Sequence, residues 1–376
     1  MAKKKQRGNG TGTVYPRKNK DGKVIGYRGS YVVNGKRFYV SAKTKTETEQ
    51  KLRQAMTDAD RGLIFEAGAL ALSDYLDVWL RNIEDTVRQR TWERYEQIAR
   101  VHLKPILGRL KLKNLTPTHV RRLYREKLDA GASHRTVQYI HTTLRKALQD
   151  AVTDDLIPRN VADGIKAPRP KKKEINPLSP EQTRTFLEAI RDDLLEALYV
   201  LAIHRGLRQG ELLGLKWDDV DLEAGTLQVR RTLSLTRDGH VFEQPKNGKG
   251  RSIELTQSSA YALRSHLQHQ LKEIEALGDE YRDQGLIFPG EKGQPMRPWT
   301  LTRKLQRMLE RVGLPHIRFH DLRHTCATLL LGKGVHPKFV QELLGHATIS
   351  ITLDTYSHVI PAMGDQTRKA IEDVLS

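Results

Sequence analysis

The spacing of apolar positions along the chain changes from two residues to three or four and separates it into stretches of different character. In the first sixty residues apolar and polar positions alternate, through Thr13-Val14-Tyr15, Ile25 to Val33 and Arg37-Phe38-Tyr39-Val40. Asn34-Gly35 joins the last two stretches and is a hairpin signal, so the pattern predicts a small three-stranded sheet. Thr46 and Glu49 have capping-box spacing for a helix that runs to Arg61 and stops at Gly62. The tyrosines at 27, 31 and 39 are expected in the core of so small a sheet rather than at its surface.

From residue 70 the period is helical. Leu76, Trp79, Leu80 and Ile83 mark a first helix capped by Ser73, and Trp92, Tyr95, Ala99 and Leu103 a second that Pro105 stops. Thr116-Pro117 opens a third, which ends near Gly131. Ser133 opens a fourth, with Val137, Ile140, Leu144, Leu148 and Val152 on one face, closing before Pro158. GIKAPRPKKKEINP, residues 164–177, mixes three prolines with lysine and arginine and reads as a basic linker that runs along a polyanion. Beyond it, Ser179-Pro180-Glu181-Gln182 starts helices that reach His204. A strand segment from Thr226 to Leu235, a hairpin turn and a strand over 252–255 follow, and helices return from Gln257. The expected architecture is multidomain and mainly α with small β-sheets (α+β). It comprises a sheet-plus-helix domain at 1–65, a helical domain at 70–160, a linker at 161–177 and a mostly helical domain with a small sheet at 178–376.

Charge narrows the partners. The chain carries 64 Lys and Arg against 45 Asp and Glu, a formal +19. Residues 1–62 alone hold sixteen basic and five acidic side chains, a net of +11. A polyanion is the natural partner, because each phosphate neutralised releases condensed counterions. The start, MAKKKQRGNG, is expected to be a flexible nucleic-acid-contacting tail rather than a targeting signal. One cysteine, Cys326, excludes an intramolecular disulfide and is expected as inert core. No apolar run approaches the ~18 residues that cross a bilayer, so a cytoplasmic protein without membrane contact is expected.

Candidate chemistry gathers near the C-terminus. RFHDLRHTCATLLLGKGVHPKFVQELLGHATISITLDTYSHV, residues 318–359, holds His320, Arg323, His346 and Tyr356. A helix from Phe319 puts His320 and Arg323 on one face above Cys326, Ala327, Leu329 and Leu330. Gly345 ends an apolar helix and His346 follows in the turn. Upstream, Arg208 precedes a short helix with Glu211, which is expected to orient its neighbours. Two arginines from distant segments suit bidentate grip of one phosphate and its pentacovalent transition state. Flanking cations are expected to favour the Tyr356 phenolate, and Lys246, in the turn QPKNGKGRSIEL, suits a general acid, with Lys249 and Arg251 as competitors. His320 and His324 have the four-residue spacing of a zinc helix. Asp321 occupies the place of that motif's glutamate and Arg323 adds a cation, so no metal is expected, and His324 is read as a residue that packs the helix or supports the acting side chains, not as a direct participant.

The set Arg208, Lys246, His320, Arg323, His346 and Tyr356 resembles that of the tyrosine recombinases, in particular phage and mobile-element integrases. The matching motifs, all in order, are GLRQGEL, the lysine turn, HDLRH, LGH and a tyrosine ten residues on. The resemblance implies DNA strand exchange through a covalent 3′-phosphotyrosyl intermediate, without metal or nucleotide cofactor, and integration or excision of a prophage or mobile element. Arg208, Arg323 and His346 would hold the phosphate and Tyr356 attack. His320 would assist the phenolic proton and Lys246 protonate the leaving 5′ oxygen. The sheet domain resembles an arm-type DNA-binding domain and the helical one a core-binding, SAM-like domain. Implied partners are duplex DNA at core and arm sites, a homotetramer assembled on it, a host DNA-bending protein and an excisionase. The tail 361–376, with Ala370, Ile371, Val374 and Leu375 on one face, is expected to dock on a neighbouring protomer. A chromosome-dimer resolvase or inversion-type recombinase, and a catalytically silent DNA-binding regulator of the same fold, are the alternatives.

Overall fold

A computed structural model describes residues 12–18, 22–33, 36–60, 70–170, 175–245, 248, 250–357 and 372–375. The chain divides into two compact units, residues 1–172 and 173–376.

The first unit begins with the alternating stretch. β1 (Thr13–Lys18), β2 (Val24–Val33) and β3 (Lys36–Ala42) form an antiparallel sheet in chain order. Helix α1 (Lys45–Asp60) packs on it and buries Thr48 and Leu52. Its cap is Thr44, whose hydroxyl accepts from the Glu47 amide at 3.2 Å, two residues before the expected Thr46, because the turn out of β3 already ends there. The core reading fails for Tyr39. It is 37% exposed, with the Arg28 guanidinium 4.2 Å above its ring, and small residues such as Ser41 take the buried places instead.

The helical part of this unit comprises α2 (Leu72–Ile83), α3 (Gln89–Ile98), α4 (Lys104–Leu107), α5 (Pro117–Asp129) and α6 (His134–Thr153). Its core collects the predicted stripes: Leu76, Trp79 and Ile83 of α2 with Val137, Ile140, Leu144 and Leu148 of α6. Three aromatics of this layer anchor their polar ends. The Tyr75 hydroxyl donates to the Ala147 carbonyl at 2.5 Å, and the Trp79 and Trp92 indoles donate to Asp150 and the Leu80 carbonyl at 2.8 Å each. Thr116 and Ser133 cap α5 and α6 as expected. Two expectations need correction. Ser73 lies inside α2, whose N-cap is Ala71 without a side-chain bond. Pro105 does not stop the second helix: a π turn over Ala99–Leu103 widens the ladder, and Pro105 is absorbed at the start of α4, where its missing N–H costs least.

The second unit begins with α7 (Pro180–Ala189), opened by the predicted capping box on Ser179. Then come α8 (Glu196–Arg205), α9 (Gln209–Leu213), β4 (Val220–Asp221), β5 (Thr226–Val229), β6 (Thr232–Thr236), β7 (Gly239–Glu243) and β8 (Arg251–Glu254). The chain closes with α10 (Gln257–Leu277), α11 (Pro298–Arg311), α12 (Phe319–Gly332), α13 (Pro337–Leu344) and α14 (Ile349–Tyr356). The single strand expected from Thr226 to Leu235 is two. It breaks at Arg230 and Arg231, β5 pairing with β4 and β8 in one sheet and β6 with β7 in another. Arg231 explains the break, since its guanidinium donates to the buried Asp219 at 2.5 Å. Helix α8, apolar on every side from Ala197 to Ile203, is the central core helix and packs against α10 and α12. The expected docking tail lies outside the described residues except for Glu372 to Leu375. Among the described residues no helix is long and apolar enough to cross a membrane.

Candidate active site

Two helix ends frame the site. Helix α8 ends at Gly206 (φ 59°) and α13 at Gly345 (φ 63°), both in the left-handed conformation that turns the last carbonyls away from the helix axis. A Cβ on Gly206 would lie 2.4 Å from Leu344 Cδ2, so the two ends approach as closely as glycine allows. The carbonyls they present are taken by arginines. Arg323, in the second turn of α12 and 2% exposed, donates from Nη1 to Gly206 O and from Nη2 to Leu344 O, both at 2.7 Å. Arg208, the N-cap residue of α9, donates from Nη2 to Gly345 O at 3.3 Å.

Glu211 sits beneath them, 1% exposed, on the short helix after Arg208. It accepts from the Arg208 backbone at 3.0 Å and from Arg208 Nη1 at 2.7 Å, and its two oxygens also accept from Arg251 Nη1 (3.1 Å) and Nη2 (2.8 Å). Burial alone would raise its pKa, but the bonds and charges of Arg251 and Arg208 outweigh that and hold it at about 2. Arg251 opens β8 opposite Val229 of β5 and donates from Nε to the Leu343 carbonyl at 3.2 Å, so the sheet register fixes this third arginine. Two guanidinium groups therefore bond one carboxylate, and its charge also acts on a third, that of Arg323. Burial, with Arg208 and Arg251 nearby and Glu211 in opposition, lowers the Arg323 pKa to about 9. A partly buried cluster with excess positive charge gains when an anion enters it.

The site's histidines are held below the ordinary imidazole pKa. His346 follows Gly345, its amide donating to the Gln341 carbonyl at 3.0 Å and its carbonyl accepting from Gln341 Nε2 at 2.6 Å. Its Nδ1 shares a hydrogen bond with the buried Thr352 hydroxyl at 2.9 Å. Burial first, then the charges of Arg323 and Arg208, lower its pKa to about 4. His320, on α12, keeps contact with solvent, yet desolvation together with His324, Arg323 and Arg208 brings it to about 4 as well. A neutral imidazole beside guanidinium groups can donate one N–H to a phosphate oxygen without adding to the charge.

Tyr356 is the last residue of α14 and is 1% exposed, packed against Ala327, Leu331, Val340 and Leu344. Its hydroxyl is 2.6 Å from His324 Nδ1. Contrary to the expectation of a cation-stabilised phenolate, its pKa is raised to about 12, because burial outweighs the pull of Arg323.

The fold thus brings Arg208, His320, Arg323, His346 and Tyr356 into one region. Lys246 and Lys249 lie outside the described residues, in the connection between β7 and β8. Sequence reasoning undervalued two residues. Arg251 stood only as a rival to Lys246, and its pairing with Glu211, 40 positions away, leaves no local signal in the sequence. His324 was read as packing the helix or supporting the acting residues, and nothing local in the sequence announces that the residue it bonds is a phenol 32 positions away. Cys326 is buried, as expected. Among the described residues no three His, Cys, Asp or Glu converge as a metal cage.

Comparison with known proteins gives the same picture. Residues 176–363 match the model of the phage integrase family, and residues 71–128 that of the phage integrase N-terminal SAM-like domain. A tyrosine recombinase XerC-like protein of Caldanaerobacter subterraneus is 32% identical over 360 residues, covering 90% of this chain and 92% of its own. The ICEBs1 integrase of Bacillus subtilis is 24% identical over 336 residues, covering 89% and 90%. Among solved structures, the Tn1549 transposon integrase in complex with transposon right end DNA has the same fold, with a TM-score of 0.66 at 23% identity over 80% of this chain and 99% of that one. A lambda integrase dimer bound to a COC′ core site aligns over 97% of both chains with a TM-score of 0.57 at 20% identity. With the family model spanning half the chain and a relative 32% identical along 90% of it, the chain belongs to the phage integrase family, the tyrosine recombinases.

Proposed function

We propose that the chain is an integrase that cuts and rejoins DNA strands at specific sites through a covalent 3′-phosphotyrosyl intermediate, and so inserts and excises a prophage or mobile element. The observation that carries this reading is the charge imbalance of the site. Arg208 and Arg251 share a single buried carboxylate, Glu211, and buried Arg323 is held by backbone carbonyls, beside two histidines whose pKa values are lowered to about 4 and a buried tyrosine. A scissile phosphodiester supplies the missing negative charge. Arg323 and Arg208 hold its non-bridging oxygens with N–H groups not committed to carbonyls, and His320 and His346 add neutral donors. The charge that grows on those oxygens in the pentacovalent transition state is where the arginines contribute most. Tyr356 Oη attacks phosphorus, and Lys246 gives a proton to the 5′ oxygen as it leaves. The phosphotyrosine conserves the bond energy, and a 5′ hydroxyl of the partner duplex reverses the step.

Two duplexes have four strands to exchange, so four copies act together. The lambda integrase tetramer bound to a Holliday junction, whose fold this chain shares, supports that number. The basic first sixty residues are assigned to distal arm sites and the helical domain to the core site, with the enzyme acting on the bacterial nucleoid.

The test is a nicked suicide duplex carrying the attachment sequence beside the gene. Wild type should give a denaturation-resistant protein–DNA adduct, and Tyr356→Phe should give none while still shifting the duplex in a native gel. Binding by both proteins with no adduct from either, on two candidate sites, would leave a DNA-binding regulator in place of an enzyme.

A further inference from the structure

The nucleophile is hydrogen bonded to a side chain to which the mechanism above gives no task. His324 lies one turn beyond His320 on α12, and its Nδ1 is 2.6 Å from Tyr356 Oη. Among the described residues it is the hydrogen-bond partner of the phenol. Its ring stands edge-on to His320 (86°, centroids 4.9 Å apart) and 5.6 Å from the Tyr356 ring. Two contacts therefore fix the imidazole, one on each side. His320 meets the His324 ring, and the hydrogen bond to the phenol is made by His324.

The chemistry follows from the atoms. The 2.6 Å contact fits either direction; in the neutral tautomer with its proton on Nε2, Nδ1 carries a lone pair and accepts from the phenol O–H, and this is the tautomer that proton transfer to it requires. The charged and titratable groups around it are Asp321, Arg318, Arg323 and His320 on its own helix, Tyr356 on α14 and His346 beyond α13. Burial, opposed by Asp321 and assisted by Arg318 and Arg323, keeps its pKa below the ordinary value, so the lone pair is free at neutral pH. An acceptor already bonded to a nucleophile whose own pKa is raised is placed to remove the proton that hinders attack.

We infer that His324, rather than His320, takes the phenolic proton when Tyr356 attacks, an inference that rests on the recombinase reading above. As Oη bonds to phosphorus, the O–H proton passes to Nδ1 and leaves an imidazolium. The bond from phosphorus to the 5′ oxygen breaks, and that oxygen takes its proton from the general acid assigned to Lys246. In religation the incoming 5′ hydroxyl loses its proton to Lys246, and the imidazolium returns its own to the departing phenol. His324 is thus base in cleavage and acid in rejoining.

The experiment is single-turnover cleavage of the nicked duplex by wild type, His324→Asn, His324→Gln and His320→Asn between about pH 5 and pH 8. Wild type should slow as pH falls, because protonation fills the His324 lone pair. His324→Asn should cleave about 100-fold or more slowly with an unchanged gel shift and should lose that acid limb, whereas His320→Asn should keep it. His324→Gln serves the same purpose if the Asn variant no longer shifts DNA. A duplex with a 5′-bridging phosphorothiolate, whose leaving thiolate needs no proton, should leave the His324 defect in place. Wild-type rates from either His324 variant, an acid limb that survives in them, or recovery on the sulfur substrate each overturns the inference while adduct formation by wild type upholds the recombinase reading. Failure of wild type itself to form an adduct overturns both.

Discussion

Neutralising Glu211 tests whether the arginine cluster depends on one buried charge. In Glu211→Gln the side chain keeps its shape, but Arg208 and Arg251 lose the anion to which they make three side-chain bonds. The difference between about 2 in the fold and an ordinary 4.5 corresponds to about 3 kcal/mol of preference for the ionised carboxylate. The side chain is 1% exposed, so solvent does little to screen it. Because the folded value lies below the unfolded one, this stability is complete above about pH 4.5 and is lost as pH falls from there toward about 2. Urea unfolding followed by tryptophan fluorescence, with Trp217 and Trp299 reporting on this unit, should show the variant about 3 kcal/mol less stable at pH 7 and about 2 kcal/mol less near pH 3.5. A gap under about 1 kcal/mol at pH 7, or one that does not narrow with acid, would refute the assignment of Glu211 as the charge that holds the cluster.

Arg323→Lys should bind DNA normally and form the adduct about 10²- to 10³-fold more slowly, since a single ammonium cannot reach Gly206 O, Leu344 O and a phosphate together; rapid-quench cleavage reads this. Gly206→Ala should lower stability by about 1–2 kcal/mol from its left-handed backbone, with further loss from contact with Leu344, measured by thermal unfolding. Thr116→Ala should remove the capping box of α5 at a cost of about 1 kcal/mol and leave the cleavage rate of bound complex unchanged. Duplex affinity should fall steeply with salt, log K decreasing linearly with log salt concentration, in a titration by fluorescence anisotropy.

The sequence disclosed those parts of the fold whose causes are local. The α12 start at Phe319, the left-handed turn at Gly345, the helix start at Thr116-Pro117 and the capping box at Ser179 depend on residues within one turn of each other. The motif residues were legible because they are held in a fixed order along the chain. Missing were contacts made only when distant segments meet. Arg251 reaches Glu211 across 40 positions, and His324 reaches Tyr356 across 32. The raised pKa of Tyr356 was hidden for the same reason, since flanking cations can be counted in a sequence but desolvation cannot. Pro105 misled because a stop signal was read without the π turn that accommodates it, and the strand from 226 to 235 because its alternation ignored the demand of buried Asp219 for Arg231.

The backbone carbonyls that grip Arg323 and Arg208 have a consequence for fidelity. These guanidinium groups are locked by main chain before any substrate arrives, so entry of a phosphate requires no further ordering of them. Phosphates are alike at every step of a duplex, and a site built in advance for one will accept whichever is delivered. Discrimination must then be finished before the strand reaches this chemistry, in how well a given duplex is bound by the rest of the chain. An error in recognition upstream would be cut as efficiently as the correct sequence, and the reversibility of the phosphotyrosine bond is what allows such a cut to be undone.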